Sequence, residues 1–145
     1  MARTPQAGGR SWSEVGDAAD TTDYTMTGGN VDGLVLMSAA HAFGAATAAL
    51  GTLPIGAVVV QAWIEVLTAY NAGSTNVLTL GYTGSTSAYL GTADVTEATP
   101  AVYPTGGKGP FAAEAASRAL VVAYTQTGTP ATTGASRAYA LVRLP

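Results

Sequence analysis

The stretch 57-AVVVQAWIEVLTAY-70 gives the clearest indication of the fold, because it is the best run in the chain with the two-residue period of a β-strand. One set of alternate positions is apolar almost to its end, and it comprises Val58, Val60, Ala62, Ile64, Val66, Thr68 and Tyr70. The other set is mixed and includes Trp63 and Glu65. The pattern predicts a strand with one buried face, on which the Glu65 carboxylate points away from the core.

Turn-forming residues around this strand predict how it is paired. Pro54 restricts the backbone φ angle just before this strand. After the strand, the loop NAGSTN separates it from a second alternating run at 76–83. We expect these two strands to pair as a long hairpin. A second hairpin is predicted at the end of the chain, where the runs 117–126 and 136–144 flank the loop TGTPATTGA.

The remaining segments are less regular. GLVLM at 33–37 predicts a short strand, and the Ala-rich residues after it are interpreted as a loop or a short turn of helix. Short strands are possible at 88–90 and 101–103, and PTGGKGP must be a loop. Many short strands without a convincing long helix indicate an all-β fold, an antiparallel β-sandwich or jelly roll.

Residues 1–32 differ from the rest and predict an extended N-terminal arm before a β domain at 33–145. This segment mixes Gly, Thr and Ser with five acids, and it shows no period that could bury one face. It either remains a flexible tail or becomes ordered on a partner. The large side chains within it are candidate contacts to a binding partner or to a neighbouring subunit, and they are Trp12, Val15, Tyr24 and Met26.

Composition narrows the function classes. Only 10% of the 145 residues are charged although 48% are hydrophobic, which suits a protein that works within an assembly better than a free monomer. The chain has no basic run, so binding of nucleic acid is not expected. A membrane partner is not expected either, because no run of about 18 apolar residues occurs. Without cysteine there can be no disulfide or thiolate metal site.

Catalytic and cofactor motifs are not found. His41 is the only histidine and lies in an Ala-rich run, so a structural role is the simpler interpretation. GGKGP lacks the spacing of a phosphate-binding loop, and the spacing of Asp17, Asp20 and Asp23 does not fit a calcium-binding loop. We therefore expect no enzymatic activity and no cofactor, although a carboxylate pair among the domain acids Glu65, Asp94, Glu97 and Glu114 is not excluded by sequence.

Two segments resemble structural proteins of tailed bacteriophage heads. LPIGAVVVQAWIEVLTAYNAGSTNVLTLGYT resembles the entry, long strand, loop and second strand of capsid decoration (cement) proteins, and GASRAYALVRLP resembles their closing strand. The resemblance implies a jelly-roll-like domain that forms a trimer on the outside of an icosahedral head. It also implies an N-terminal arm that reaches neighbouring subunits.

The expected function is therefore that of a non-enzymatic cement protein on the capsid exterior, assembled in the host cytoplasm. Its expected partners are its own copies, the major capsid protein and neighbouring trimers contacted through the arm. The candidate protomer interface consists of Trp63, Glu65, Arg137 and Arg143. The alternative is a receptor- or glycan-binding head of a fibre or tail protein, in which Trp63 and the tyrosines Tyr82, Tyr89, Tyr103, Tyr124 and Tyr139 would line a sugar platform.

Overall fold

A computed structural model describes residues 33–145. These residues form eight β-strands: β1 Leu34–Ala42, β2 Thr47–Leu53, β3 Val58–Thr68, β4 Thr75–Tyr82, β5 Ser85–Leu90, β6 Ala101–Pro104, β7 Arg118–Thr127 and β8 Ala135–Arg143. The described part contains no helix that is long and apolar enough to cross a membrane. The predicted all-β class is confirmed.

The strands form two four-stranded antiparallel sheets packed as a sandwich. The first sheet has the order β1-β8-β3-β6, and the second has the order β2-β7-β4-β5. Six of the seven connections between consecutive strands cross from one sheet to the other, and only β4 and β5 are neighbours that pair directly. This is the strand order of an eight-stranded jelly roll, so the predicted jelly-roll-like sandwich is confirmed.

Both predicted hairpins are wrong, although the strands themselves lie where they were expected. β3 belongs to the first sheet and β4 to the second, and β7 and β8 are likewise divided between the sheets. β3 and β7 instead pair with strands that are distant in the sequence. The connecting loops cross the sandwich because each strand has one apolar face, and two sheets facing each other bury those faces together.

The Ala-rich segment after GLVLM is also different from the prediction. Most of it is strand, since β1 continues to Ala42 and β2 follows at Thr47, and only residues 43–46 between them form a turn. Leu50 and Leu53 of β2 are in the core. Packing on this core overrides the helical propensity of alanine, which is a weak preference that tertiary contacts commonly outweigh.

A β-bulge changes the facing pattern of β3. Val59 is paired with Val142 and Gln61 with Leu141, so Val60 is an extra residue without a partner on β8. The core position at this point is therefore taken by Val59, which is fully buried, rather than by Val60. Beyond the bulge the predicted face is correct, because Ile64 and Val66 are buried between the sheets.

The loop after β6 covers the first half of β3. Its backbone N–H groups donate to β3 carbonyls, from Thr105 to Ala62 at 3.1 Å and from Phe111 to Val59 at 2.9 Å. Residues 105–117 contain no strand, which confirms the loop predicted for PTGGKGP. The loop thus continues the hydrogen bonding of β6 along the edge of β3.

Candidate interaction face

The outer side of the first sheet gathers the large and charged residues that the core excludes. Along β8 the core positions alternate with the outward positions Arg137, Tyr139, Leu141 and Arg143. The strand register sets outward residues of β1, β3 and β6 beside them. We call this surface the aromatic face, and it comprises Leu36, Gln61, Trp63, Glu65, Val102, Pro104, Arg137, Tyr139, Leu141 and Arg143.

A stacked aromatic pair forms the middle of the aromatic face. The Trp63 and Tyr139 rings lie with their centroids 5.1 Å apart and their planes at 15°. In the register of the sheet, Pro104 follows Trp63 on one side and Ser38 follows Tyr139 on the other. The indole therefore stands between two neighbours, and the row forms a ridge rather than a single open ring face.

Charged residues flank this ridge. Glu65 is the register partner of Arg137, and the side chains form no ion pair with each other within residues 33–145. Arg143 lies at the far end of β8 and is exposed. The structure thus brings together all four residues of the predicted protomer interface on one face, with Glu65 pointing away from the core as predicted.

Exposed aliphatic side chains extend the aromatic face. Leu36 is 52% exposed and Val102 is 55% exposed, and they lie towards opposite edges of the sheet. Large apolar groups left open beside a tryptophan and two arginines match the composition of protein interfaces, in which aromatic residues and arginine are enriched. Sequence reasoning missed Leu36, Leu141 and Val102, although the strict alternation of β8 already assigns Leu141 to the side of Arg137.

The tyrosines proposed for a sugar platform do not assemble on this face. Tyr89 and Tyr124 are buried in the core, and Tyr82 packs against it. The Tyr103 hydroxyl donates to the carbonyl of Thr99 at 2.7 Å. Only Tyr139 joins Trp63, and it already covers one side of the indole.

The carboxylates of the domain also have structural surroundings. Glu114 accepts a hydrogen bond from the Tyr89 hydroxyl at 2.5 Å, and its second oxygen lies 2.6 Å from Arg118 Nε in an ion pair whose N–H is not aligned for a hydrogen bond. The Arg118 guanidinium lies over the Tyr82 ring, 4.0 Å from its centroid. Burial, followed by the bond to Glu114, raises the pKa of Tyr89. This cluster holds residues near 114 against the second sheet.

Asp94 and Glu97 likewise hold a loop, the one between β5 and β6. The Asp94 carboxylate pairs with Lys108 at 2.5 Å, and this contact lowers the pKa of Asp94. Glu97 is buried and accepts from the Leu78 N–H at 2.6 Å. Burial raises the pKa of Glu97, and the hydrogen bond from Leu78 offsets part of that effect. Within residues 33–145 no group of three or more His, Asp or Glu side chains is placed to hold a metal ion.

His41 belongs to a buried hydrogen-bonded chain at one end of the sandwich. Its Nε2 lies 2.8 Å from the Ala45 carbonyl, which only accepts, so Nε2 carries the proton and Nδ1 accepts from the Tyr70 hydroxyl at 2.9 Å. The Tyr70 oxygen in turn accepts from Ser136 Oγ at 2.9 Å. Burial lowers the pKa of His41, and the bond to Ala45 opposes this in part. The arrangement gives the imidazole a structural role.

The predicted arm contacts Trp12, Val15, Tyr24 and Met26 lie outside the described residues, as do the acids of the arm. They stay predictions. The described residues therefore contain one of the two predicted contact surfaces, the aromatic face.

Comparison with known proteins gives likeness in structure only. No protein-family model and no curated protein matches this chain. A chain of the capsid asymmetric unit of cyanophage Pam1 has the same fold, with a TM-score of 0.60 and 21% identity over 77% of this chain and 85% of that chain. A chain in the acid-stable capsid structure of Helicobacter pylori bacteriophage KHP30 is similar, with a TM-score of 0.59 and 20% identity over 77% of this chain and 88% of that chain. The predicted resemblance to phage head proteins is thus confirmed at the level of the fold.

Proposed function

We propose that this chain is a non-enzymatic structural protein of a tailed bacteriophage, which binds the outer surface of the capsid as a homotrimer and stabilises it. The observation that carries the proposal is the fold shared with chains in two phage capsid structures, over 85% and 88% of their lengths. Those chains consist almost entirely of this one domain. A domain of this kind within a capsid has a structural task, which agrees with the structural surroundings of His41, Glu97 and Glu114 here.

The aromatic face is the proposed contact between protomers. Its central Trp63–Tyr139 ridge offers the large rigid groups that dominate binding energy at interfaces. Arg137 and Arg143 can reach acidic groups of a neighbour, and Glu65 can reach basic ones. Such pairs add little while exposed to water and more when an interface excludes it. In the proposed trimer, four side chains would be buried on binding and would determine which partner binds: Trp63, Glu65, Arg137 and Arg143.

The N-terminal arm is the proposed contact to the major capsid protein and to neighbouring trimers. It precedes β1 directly, so it leaves the domain at an edge strand of the first sheet. Its 32 residues could span about 100 Å if fully extended. Trp12, Val15, Tyr24 and Met26 are spaced along it and could each enter a separate pocket on the shell. Ordering of the arm on the shell would then oppose outward expansion of the head.

Deletion of residues 1–30 tests this division of labour. The truncated chain should remain folded and oligomeric in solution, and it should no longer sediment with phage heads assembled without the protein. The full chain should bind the same heads and raise the temperature at which they release DNA. Equal binding by the truncated chain would contradict the arm model, and failure of the full chain to bind any head would contradict the proposed function.

A further inference from the structure

The four edge strands of the sandwich differ in how their open edges are protected. Soluble proteins protect such edges with short strands, prolines, bulges or charges, because an open edge pairs with other strands. β6 has only four residues and ends at Pro104, and β2 is interrupted by a bulge between Ala49 and Gly51. β5 has six residues and pairs irregularly with β4. β1 runs for nine residues without a bulge, a proline or an acidic or basic side chain other than His41, which is buried.

The hydrogen bonds at the two ends of β1 identify which backbone groups are free. The Leu144 N–H donates to the Gly33 carbonyl, and the Phe43 N–H donates to the Gly134 carbonyl. Partners alternate along an antiparallel strand, so the odd-numbered residues of β1 bond to β8 and the even-numbered ones point to the open edge. Within residues 33–145 no strand pairs with that edge. The even-numbered positions are Leu34, Leu36, Ser38, Ala40 and Ala42, of which Ala42 already uses its carbonyl to accept from the Ala45 N–H at 3.0 Å.

We propose that the open edge of β1 pairs with the β1 strand of a second copy, antiparallel and centred on Ser38. A two-fold axis at this position sets each Ser38 opposite the other, so that both use their free N–H and C=O groups. It also sets Leu36 of one copy beside Ala40 of the other, twice. Leu36 is 52% exposed and Ala40 is a small exposed residue, so each leucine is covered without a clash.

The sizes of the side chains are the argument for a second copy as the occupant. On the inner side the same register sets Met37 beside Ala39, which again matches a large side chain with a small one. Because no charge lies on the open edge, two identical strands do not repel each other. The pairing would join two first sheets into one continuous sheet, and the two aromatic faces would become neighbours. The contact does not depend on capsid binding, and it could link one subunit from each of two trimers.

Cysteine cross-linking tests the register, because the chain has no cysteine of its own. In the proposed pairing the two Ser38 Cα atoms lie about 5.5 Å apart, a separation that a disulfide spans. Full-length Ser38→Cys should form a covalent dimer under mild oxidation. Ala40→Cys should not, because its two copies would lie roughly 14 Å apart along the strands. Ser87→Cys, an equally exposed serine on edge strand β5, is the matched control and should not form the dimer either.

Two lysine substitutions test whether this contact forms without a cross-link. Ala40→Lys places a charge beside the open edge of β1, and Ala49→Lys makes the same change on edge strand β2. Light scattering should show the particle mass halved by Ala40→Lys and unchanged by Ala49→Lys. The proposal fails if Ala40→Lys leaves the mass unchanged, or if Ser38→Cys and Ala40→Cys cross-link equally. Head binding by the same variants is scored separately, so loss of this pairing and loss of the proposed function can be told apart.

Discussion

The two outer surfaces of the sandwich differ sharply. The aromatic face carries Trp63, Tyr139, two arginines and a glutamate on the first sheet. The outer side of the second sheet, which we call the small-residue face, carries no charged and no aromatic side chain. It comprises Thr47, Ala49, Thr52, Val77, Thr79, Gly81, Ala119, Val121, Ala123 and Thr125, of which Thr79, Gly81, Val121 and Ala123 are buried by their neighbours.

This difference determines on which face a partner would gain more free energy from binding. Burial stabilises in proportion to the apolar area removed from water, so the large, partly exposed Trp63 offers more than an alanine or threonine. Directional contacts also need charged or aromatic groups, and the aromatic face holds both. The two sides of the sandwich therefore differ: the small-residue face has no charged or aromatic group to offer a partner, whereas the aromatic face carries the groups that the proposed interface would bury.

The largest expected effect concerns the core that carries both faces. Gly134 has a φ of 144°, and a β-carbon there would overlap the buried Tyr70 ring. Gly134→Ala should therefore cost about 3 kcal/mol or more in the free energy of unfolding, from backbone strain together with overpacking. Chemical denaturation of the purified variant measures this. Gly44→Ala, where a β-carbon meets no atom within 4 Å, is the control and should change stability little.

The second effect distinguishes the two faces directly. Trp63→Ala should weaken self-association by about 2 kcal/mol, which corresponds to roughly 30-fold, because it removes the central group of the aromatic face. Val77→Ala truncates a partly exposed residue of the small-residue face and should leave association unchanged. Sedimentation over a concentration series measures both. An equal loss of association in the two variants would contradict the assignment of the interface to the aromatic face.

The third effect concerns the buried hydrogen bonds that link His41, Tyr70 and Ser136 at one end of the sandwich. Because the folded protein lowers the pKa of His41 below its usual value near 6.5, the unfolded state binds the proton more readily. Stability should therefore be complete above about pH 6.5 and fall as the pH drops towards the folded-state pKa. The ionisable neighbours are Tyr70 and Tyr124, and Glu97 acts on both tyrosines.

Thermal unfolding from pH 8 to pH 5 tests this dependence. At pH 8 the free energy of unfolding of His41→Gln should be lower than that of the native chain by about 1 kcal/mol or more, because buried groups lose their partners. The variant should therefore unfold at a lower temperature. The difference between the two proteins should narrow below pH 6.5. A native chain whose stability is flat across this range would show that His41 is protonated as easily in the folded state as in the unfolded state.

Particular strands show how much of the fold can be predicted from the sequence. The alternation in β3 and β8 predicts both strands and the outward side of Glu65 and Trp63, because a period of two follows from local geometry alone. The pairing of these strands with each other is not predicted, since a hydrogen-bonded ladder between residues 67 to 85 positions apart leaves no local trace. The hairpin expected for β3 and β4 failed for this reason, and the bulge at Val60 is likewise set by the partner strand.

The candidate site, too, can be predicted only in part from the sequence. Residue type and alternation suffice to select Trp63, Glu65, Arg137 and Arg143, but only the register shows that Tyr139 stacks on Trp63 and that Glu65 lies opposite Arg137. The role of His41 depends on Tyr70 and Ser136, which are far from it in the chain. Three-dimensional proximity of this kind has no counterpart in a single sequence.

The smallest expected effect belongs to the loop between β5 and β6 and has the opposite sign with pH. Burial raises the pKa of Glu97, so the folded state holds its proton to a higher pH than the unfolded state does. This contribution is complete below the usual glutamate pKa of about 4.3 and is lost as the pH rises through the folded-state pKa. Glu97→Gln keeps an oxygen to accept from Leu78 and has no charge to bury. It should therefore stabilise the protein at pH 8, by about 1.4 kcal/mol for each unit by which the pKa is raised, and give no gain at pH 4.

Denaturant unfolding of the native chain and of Glu97→Gln at pH 4 and pH 8 measures that difference, at a protein concentration low enough to separate the protomers. Glu65→Gln is the control from the aromatic face. Glu65 lies on the outer side of its sheet and Glu97 is buried, so the same change at position 65 should alter stability by less than about 0.5 kcal/mol at either pH. A gain for Glu65→Gln as large as that for Glu97→Gln would mean that its carboxylate is already desolvated. In that case a neighbouring copy covers the aromatic face even at this dilution, and the control would itself locate the interface.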